Sequence, residues 1–397
     1  MTDTATEDIS PEVRRSLLDS IKKNLHLEVL NFAAREEDVN LLSVGDGNLN
    51  YVVRIQSKND PTMSVICKTA PPFIKCLGPT YPLDTLRSSK EWQALVSFYP
   101  SYPDIVPSPI FYDEESHTVC MEDLGNSPLL KDEMIAERLE MTTVKELAKF
   151  MALLQHRSHS ASPTMEPVMF NRMTENFSNP AMCGLTSDYI FTKPFIQDDP
   201  TNRCSEEVQK HFNLIYNNPG VIEGAKEMKR IFQETKECVV HGDLHTASVM
   251  VRDNRPKVID YEFMFIGPCA FDLGLLLAHY MLSYYQHEAT EQDNDRHRKF
   301  CYFLIDVCKE TVMTYFEHMT RSIGDPVTYR EKLMKEVAGF AGCEMIRRII
   351  GIAGDKGFTG CNKLAEVDAL QCGIRLLTLR DRMPNIDRLL FIGLTLC

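Results

Sequence analysis

Up to about residue 124, apolar and polar positions mostly alternate in short runs, and beyond it apolar residues recur every three or four positions. The first texture predicts strands and the second helices. Residues 10–30 open as a helix, with Ser10 as cap, Pro11 in the first turn and a stripe through Val13, Leu17, Ile21 and Leu25. Runs at 41–44, 51–55 and 64–68 then read as strands, the first two joined by a tight turn. A helix begins near Asp84, and two further strands, 106–112 and 118–121, flank a turn at 113–116. The second strand stops in a short polar segment with a glycine, Glu122-Asp123-Leu124-Gly125, which marks the best domain boundary. Two domains are therefore expected, 1–124 and 125–397.

In the second domain Thr142 or Thr143 caps a helix carrying Val144, Leu147, Ala148, Met151 and Leu154. Residues 161–205, rich in Pro, Asn and Thr, predict no element, and 205–236 read as two helices broken at 217–220. Two short β-type runs, 248–251 and 258–259, surround a turn at 253–256 and predict a hairpin. Helices follow around 271–287, 294–320, 330–352 and 361–382.

Charge and composition narrow the function. A net charge of −13 argues against nucleic acid or an anionic membrane as partner, since both favour a basic face. It leaves room for a small anionic ligand in a local basic pocket. Thirteen cysteines, without CxxC spacing and mostly inside apolar runs, read as free thiols in a reducing compartment. The N-terminus is polar and acidic rather than a signal peptide, and no apolar run reaches the ~18 residues of a membrane span. A cytoplasmic protein is expected.

The chemistry concentrates between Cys238 and Gly274. His241-Gly242-Asp243-Leu244-His245 precedes the first strand of the expected hairpin, and Asp260-Tyr261-Glu262 follows the second, so the hairpin should gather three carboxylates at one end. Phosphoryl transfer needs such a set: one acid to orient and deprotonate a hydroxyl, others to hold Mg²⁺ on phosphates. Upstream, Gly45-Asp46-Gly47-Asn48-Leu49-Asn50 forms a turn whose backbone N–H groups could approach a phosphate, although a plain hairpin turn fits equally well. Lys68 ends a strand, and Glu91 is either its carboxylate partner or a surface charge. Main-chain groups around Glu122, Asp123 and Leu124 could pair with an adenine edge. Arg347 and Arg348 sit in a helix that is apolar on several faces, so they open onto a cleft, pair with acids, or mark where the helix emerges. Being about 100° apart, they cannot point the same way; one can serve a site while the other makes an ion pair.

With GDGNLNYV and VICKTA upstream, HGDLHTASV followed by KVIDYEF resembles the 5-methylthioribose kinase family, among the protein-kinase-like small-molecule phosphotransferases. PTYPLD, RSSKEWQAL, NPAMC, FTKPF and EMIRRIIGIA extend the resemblance over nearly the whole chain. It implies an α+β, bilobal protein-kinase-like fold, with a small antiparallel-sheet N-lobe that binds nucleotide and a mainly helical, catalytic C-lobe. It also implies ATP-dependent phosphorylation of the sugar's 1-hydroxyl in methionine salvage. Carried over by position, Asp243 would act on that hydroxyl, and Asp260 and Glu262 would hold Mg²⁺. Lys68 and the loop from Gly45 to Asn50 would hold phosphates, Glu122 to Leu124 adenine, and Arg347 and Arg348 the sugar site. The resemblance further suggests a homodimer. Ser248 stands where protein kinases and many relatives place Asn. The rival readings are a kinase of another sugar, choline or an aminoglycoside, and a catalytically inactive nucleotide-binding protein.

Overall fold

The computed structural model describes residues 9–394 apart from 46, 290–294, 320–325, 353, 355, 359–360 and 362–363. Two compact units result, Met1–Ser127 with Lys257–Phe263, and Pro128–Pro256 with Met264–Cys397.

In the first unit, helix α1 (Pro11–Lys23) is capped by Ser10, whose Oγ accepts from Val13 N at 3.3 Å. It is shorter than expected: Asn24 closes it, donating its N–H to the Ile21 carbonyl, and a 3₁₀ segment, Glu28–Ala33, follows. Strands β1 (Val39–Ser43), β2 (Tyr51–Ser57) and β3 (Ser64–Thr69) lead into helix α2 (Leu86–Phe98) and strands β4 (Pro109–Asp113) and β5 (Thr118–Glu122). They form a five-stranded antiparallel sheet in the order β1-β2-β3-β5-β4. Alternation puts Val53, Ile55, Val65 and Cys67 on the face covered by Leu17, Ile21 and Leu30, all fully buried. In the β2–β3 register Val52 faces Lys68, which fixes the lysine at the strand's end.

The second unit is helical. Its elements begin with α3 (Leu130–Ile135), α4 (Met141–Ser158), α5 (Pro167–Asn176) and α6 (Pro180–Phe191). Then come α7 (Glu206–Gln209), α8 (Asn213–Tyr216), α9 (Pro219–Glu234) and strands β6 (Cys238–Val240), β7 (Val249–Arg252) and β8 (Arg255–Val258), the last two residues of β8 being counted in the first unit. After β9 (Phe265–Gly267), the helices α10 (Ala270–Glu288), α11 (Asp295–Met319), α12 (Pro326–Ile350), α13 (Leu364–Thr378) and α14 (Ile386–Leu394) complete it. β7 and β8 make the expected two-stranded ribbon, turning through Asp253 and Asn254 at φ 52° and 60°; β6 pairs instead with β9. Residues expected to be irregular at 161–205 include α5 and α6, each started by a proline at its first turn, where the missing N–H has no helical partner to lose.

Helix α10 is buried along almost its whole length. Two glycines set how closely its neighbours approach. A Cβ on Gly274 would lie 2.7 Å from Phe340 Cβ, and one on Gly342 would lie 2.7 Å from the Gly373 carbonyl. Only glycine therefore lets α12 pack this tightly against α10 on one side and α13 on the other. This contact carries the end of α12, with Glu344, Arg347 and Arg348, deep into the unit.

Candidate active site

One cluster forms around Lys68 in the first unit. Its ammonium lies 2.7 Å from Asp260 Oδ1, 3.0 Å from Glu91 Oε2 and 3.2 Å from Glu262 Oε1. Glu91, on α2, is therefore a buried partner of the lysine rather than a surface charge. Burial alone would lower the lysine's pKa, but Asp260, Glu262 and Glu91 outweigh it and hold it well above the ordinary value. Burial pushes the Glu91 carboxyl up to about 7, against the pull of Lys68. Asp260 adopts φ 64°, a left-handed conformation that few non-glycine residues take, and 38% of its side chain faces solvent. Glu262 is nearly enclosed.

Arg87, which the sequence pattern did not single out, completes this cluster. It is 1% exposed, and its Nε donates to Asn50 Oδ1 at 3.1 Å and lies 3.4 Å from Glu262 Oε2. Its other nitrogens donate to the carbonyls of Leu49, Pro71 and Asp84. Asn50 Nδ2 in turn donates to Glu262 Oε1 at 2.8 Å. The buried Asn50 amide thus joins the arginine to the glutamate. Three carboxyl groups thus face one lysine and one arginine.

Elsewhere in the turn, Gly45 has φ 76°, and a Cβ on Gly47 would come within 2.8 Å of the Asn50 carbonyl, so both positions suit glycine. The Asn48 carbonyl accepts from Cys76 N at 2.9 Å; Asp46 lies outside the described residues. At 122–125, Asp123 accepts from Arg54 through both oxygens, from Ser64 Oγ and from Gly125 N. Together those bonds hold its carboxyl below the usual range despite burial. Glu122 N donates to the Ser108 carbonyl, and the Leu124 carbonyl accepts from Ser127 Oγ. Asp123 is therefore a brace for this segment.

A second cluster lies in the second unit around Asp243. The loop carrying it is fixed by Asp272 in the first turn of α10, whose oxygens accept from His241 N at 2.7 Å and Gly242 N at 2.9 Å, with Gly242 at φ 85°. His241 Nδ1 accepts from Asp243 N and so braces the loop. Ser248 Oγ donates to the Asp243 carbonyl at 2.8 Å, so the hydroxyl is already engaged in shaping the loop. Asp243 Oδ2 lies 3.4 Å from His245 Nε2, and Oδ1 is 3.9 Å from an Arg347 guanidinium nitrogen. Burial opposes ionisation, but His245, Arg347 and Arg348 prevail and keep the carboxyl well below the ordinary range.

Both arginines turn out to share one counter-ion, Glu344. Its Oε2 accepts from Arg347 Nε at 2.6 Å and its Oε1 from Arg348 Nε at 2.8 Å. Spacings of three and four residues let two side chains about 100° apart close on one carboxylate. Arg347 also lies 3.9 Å from Asp243. Glu344 is fully buried, and the two arginines hold it well below the ordinary value although burial would raise it. His279 lies 3.1 Å from Glu344 Oε1 and stacks on His245 at 5.0 Å, tying the glutamate to the loop of Asp243.

Residues 44–309 match the phosphotransferase enzyme family. Over 318 residues, 78% of each chain, the protein is 32% identical to the methylthioribose kinase of Bacillus velezensis. The chain belongs to the methylthioribose kinase family. The methylthioribose kinase of Geobacillus thermodenitrificans is 30% identical over 363 residues, 88% of this chain and 90% of that one. Solved structures of a Cryptosporidium parvum choline kinase and a Plasmodium vivax ethanolamine kinase each align with a TM-score of 0.50. Identities are 16% and 12%, covering 90% and 94% of this chain, and 94% and 92% of the others. At those identities they establish the protein-kinase-like fold expected from the sequence. Membership of the methylthioribose kinase family makes the chain a small-molecule kinase. Among the described residues no helix is long and apolar enough to cross a membrane.

Proposed function

We propose that this kinase transfers the γ-phosphoryl group of ATP to the 1-hydroxyl of 5-methylthioribose, a step of methionine salvage. The observation that carries the reading is Asp243, ionised and held between His245 and Arg347 on a loop that Asp272 fixes. A carboxylate kept this acidic is a weak base, so its main work is to orient the hydroxyl and take its proton late. Arg347 would stabilise charge on the transferring group while Glu344 keeps it in place, with Arg348 as the second arm of that support.

Lys68 and the turn around Gly45, Gly47, Asn48 and Leu49 would hold the phosphates, and Asp260 and Glu262 the Mg²⁺. The excess of carboxyl groups in their cluster and the open side of Asp260 fit a divalent cation with anionic phosphates. When bound, MgATP supplies the phosphoryl group and a metal charge on its oxygens. Asn50 and Arg87 fix Glu262, Glu91 fixes Lys68, and main-chain groups between Glu122 and Leu124 would meet the adenine. The first unit would thus bind nucleotide and the second would bind sugar and run the chemistry.

Around the acceptor carboxylate, Asp243 and Glu344 balance Arg347 and Arg348, so the cluster lacks the excess negative charge a choline-type or aminoglycoside acceptor would favour. Mg²⁺-dependent ATP turnover with 5-methylthioribose, beside ribose and choline, tests the proposal. Preference for the thiosugar supports it, faster turnover of ribose or choline replaces the acceptor, and no turnover with any substrate leaves a nucleotide-binding protein. The cytoplasmic location expected from the composition and the homodimer expected from the resemblance belong to the same proposal; light scattering of the purified chain tests the dimer.

A further inference from the structure

Away from the residues above, Glu137, His287 and His297 bring three ligand atoms within 4.8 Å of one another. They come from the turn after α3, the last turn of α10 and the first turn of α11. Glu137 holds φ 54°, and its N–H donates to the Met134 carbonyl at 3.1 Å. That same carbonyl lies 3.0 Å from His287 Nε2. A carbonyl can only accept, so Nε2 carries the proton and Nδ1 presents a lone pair.

The lone pair faces a carboxylate. His287 Nδ1 is 3.6 Å from Glu137 Oε1, and His297 Nδ1 contacts the same oxygen. Glu137 is only 5% exposed in its side chain, yet neither of its oxygens nor His297 Nδ1 makes a hydrogen bond. Its other charge contact is with Arg296, on Oε2. A cation between this lone pair and the carboxylate would satisfy both.

We infer that Glu137 Oε1, His287 Nδ1 and His297 Nδ1 form a Zn²⁺ site outside the catalytic machinery. Two imidazoles and one carboxylate suit zinc, and a histidine whose far nitrogen donates to a main-chain carbonyl is the usual support of a metal ligand. Tetrahedral zinc with bonds of about 2.0–2.2 Å separates its ligand atoms by roughly 3.3–3.5 Å, close to the His287–Glu137 gap. His297, at the start of its helix and 24% exposed, has room to adjust. The fourth position is left to water. Cys301, one turn beyond His297, is not a ligand: burial first, then Glu288 and Glu137, push its thiol up to about 12. The cluster of His159, Glu237 and Cys269 is a poorer candidate, because His159 Nδ1 accepts from Ala161 N, which puts the proton on the nitrogen that would bind metal.

Titration of the chelator-stripped full chain with Co²⁺, in excess Mg²⁺ to fill oxygen-ligand sites, tests the assignment. The expected result is one site with visible d–d bands and no thiolate charge-transfer band, displaced by Zn²⁺. His297→Ala and Glu137→Gln should each weaken binding at least about 100-fold, while Arg296→Ala, which frees Oε2, should bind at least as tightly as wild type. Because His297 is partly exposed, its variant keeps the test valid even if Glu137→Gln folds poorly. No Co²⁺ uptake, a thiolate band, or unchanged affinity in His297→Ala would overturn the proposal and leave a protonated ion-pair cluster in its place.

Discussion

Replacing Glu344 with Gln removes one fully buried charge and strands two guanidinium groups that close on it at 2.6 and 2.8 Å. Each charge-assisted bond contributes about 1.5–3 kcal/mol, and breaking a buried ion pair from one side costs about 3–5 kcal/mol. The amide oxygen of Gln retains one acceptor, so the cost should fall at about 3–5 kcal/mol. For a unit this size, each kcal/mol lowers Tm by about 2–4 °C, which predicts a drop of roughly 6–20 °C. Thermal and urea unfolding followed by circular dichroism measure it. A companion, Glu344→Leu with Arg347→Met and Arg348→Met, removes all three charges and should recover to within about 2 kcal/mol of wild type, since no unpaired ion remains. Turnover should stay low in the companion because Arg347 is gone. If Glu344→Gln unfolds within about 1 kcal/mol of wild type, the glutamate is not the shared counter-ion and the placement of Arg347 beside Asp243 needs another cause.

The same cluster predicts a pH dependence. Burial first, then Arg348, push His279 down to about 4 from its ordinary 6.5, and Arg347 with Arg348 hold Glu344 well below its ordinary 4.5. Both groups bind more protons unfolded than folded, so stability rises with pH and is lost on acidification. His279 acts as pH falls from about 6.5 towards 4, and Glu344 below 4.5. At about 1.4 kcal/mol per pH unit, the histidine interval is worth about 3 kcal/mol. His279→Gln should flatten the stability profile between pH 6.5 and 4, and an unchanged slope there would contradict the assignment.

Three further outcomes follow from the site. Asp243→Asn should cut kcat at least about 1,000-fold while ATP affinity, by calorimetry, changes less than about threefold; turnover near wild type would remove Asp243 from the chemistry. Lys68→Met leaves Glu91, Asp260 and Glu262 without their shared lysine, so it should lower stability by about 3–5 kcal/mol as well as weaken ATP binding. An unchanged urea midpoint would show that these acids do not depend on the lysine. Asp272→Asn should leave KM for ATP nearly unaltered and lower kcat about 10–100-fold, because it loosens the loop of Asp243 through the N–H groups of His241 and Gly242; equal loss in both parameters would point to general unfolding instead.

What the sequence made legible follows from how local each determinant is. HGDLH and DYE are read directly because the loop and strand ends that carry their carboxylates are built from adjacent residues. α5 and α6 escaped because their apolar spacing is irregular, although Pro167 and Pro180 at their first turns were the available sign. Glu344 left a signal too, three and four residues before the arginine pair, but an acid in an apolar helix has that spacing whether or not it is used. Arg87 left none, and Asn50 showed only as part of the glycine turn. Whether the asparagine meets a ligand or braces Glu262 depends on a contact 212 residues away in sequence. Its amide could serve a phosphate only by giving up Glu262, and the arginine bonded to its oxygen would then lose part of its support. The physical cost of moving Asn50 therefore favours a role in bracing Glu262.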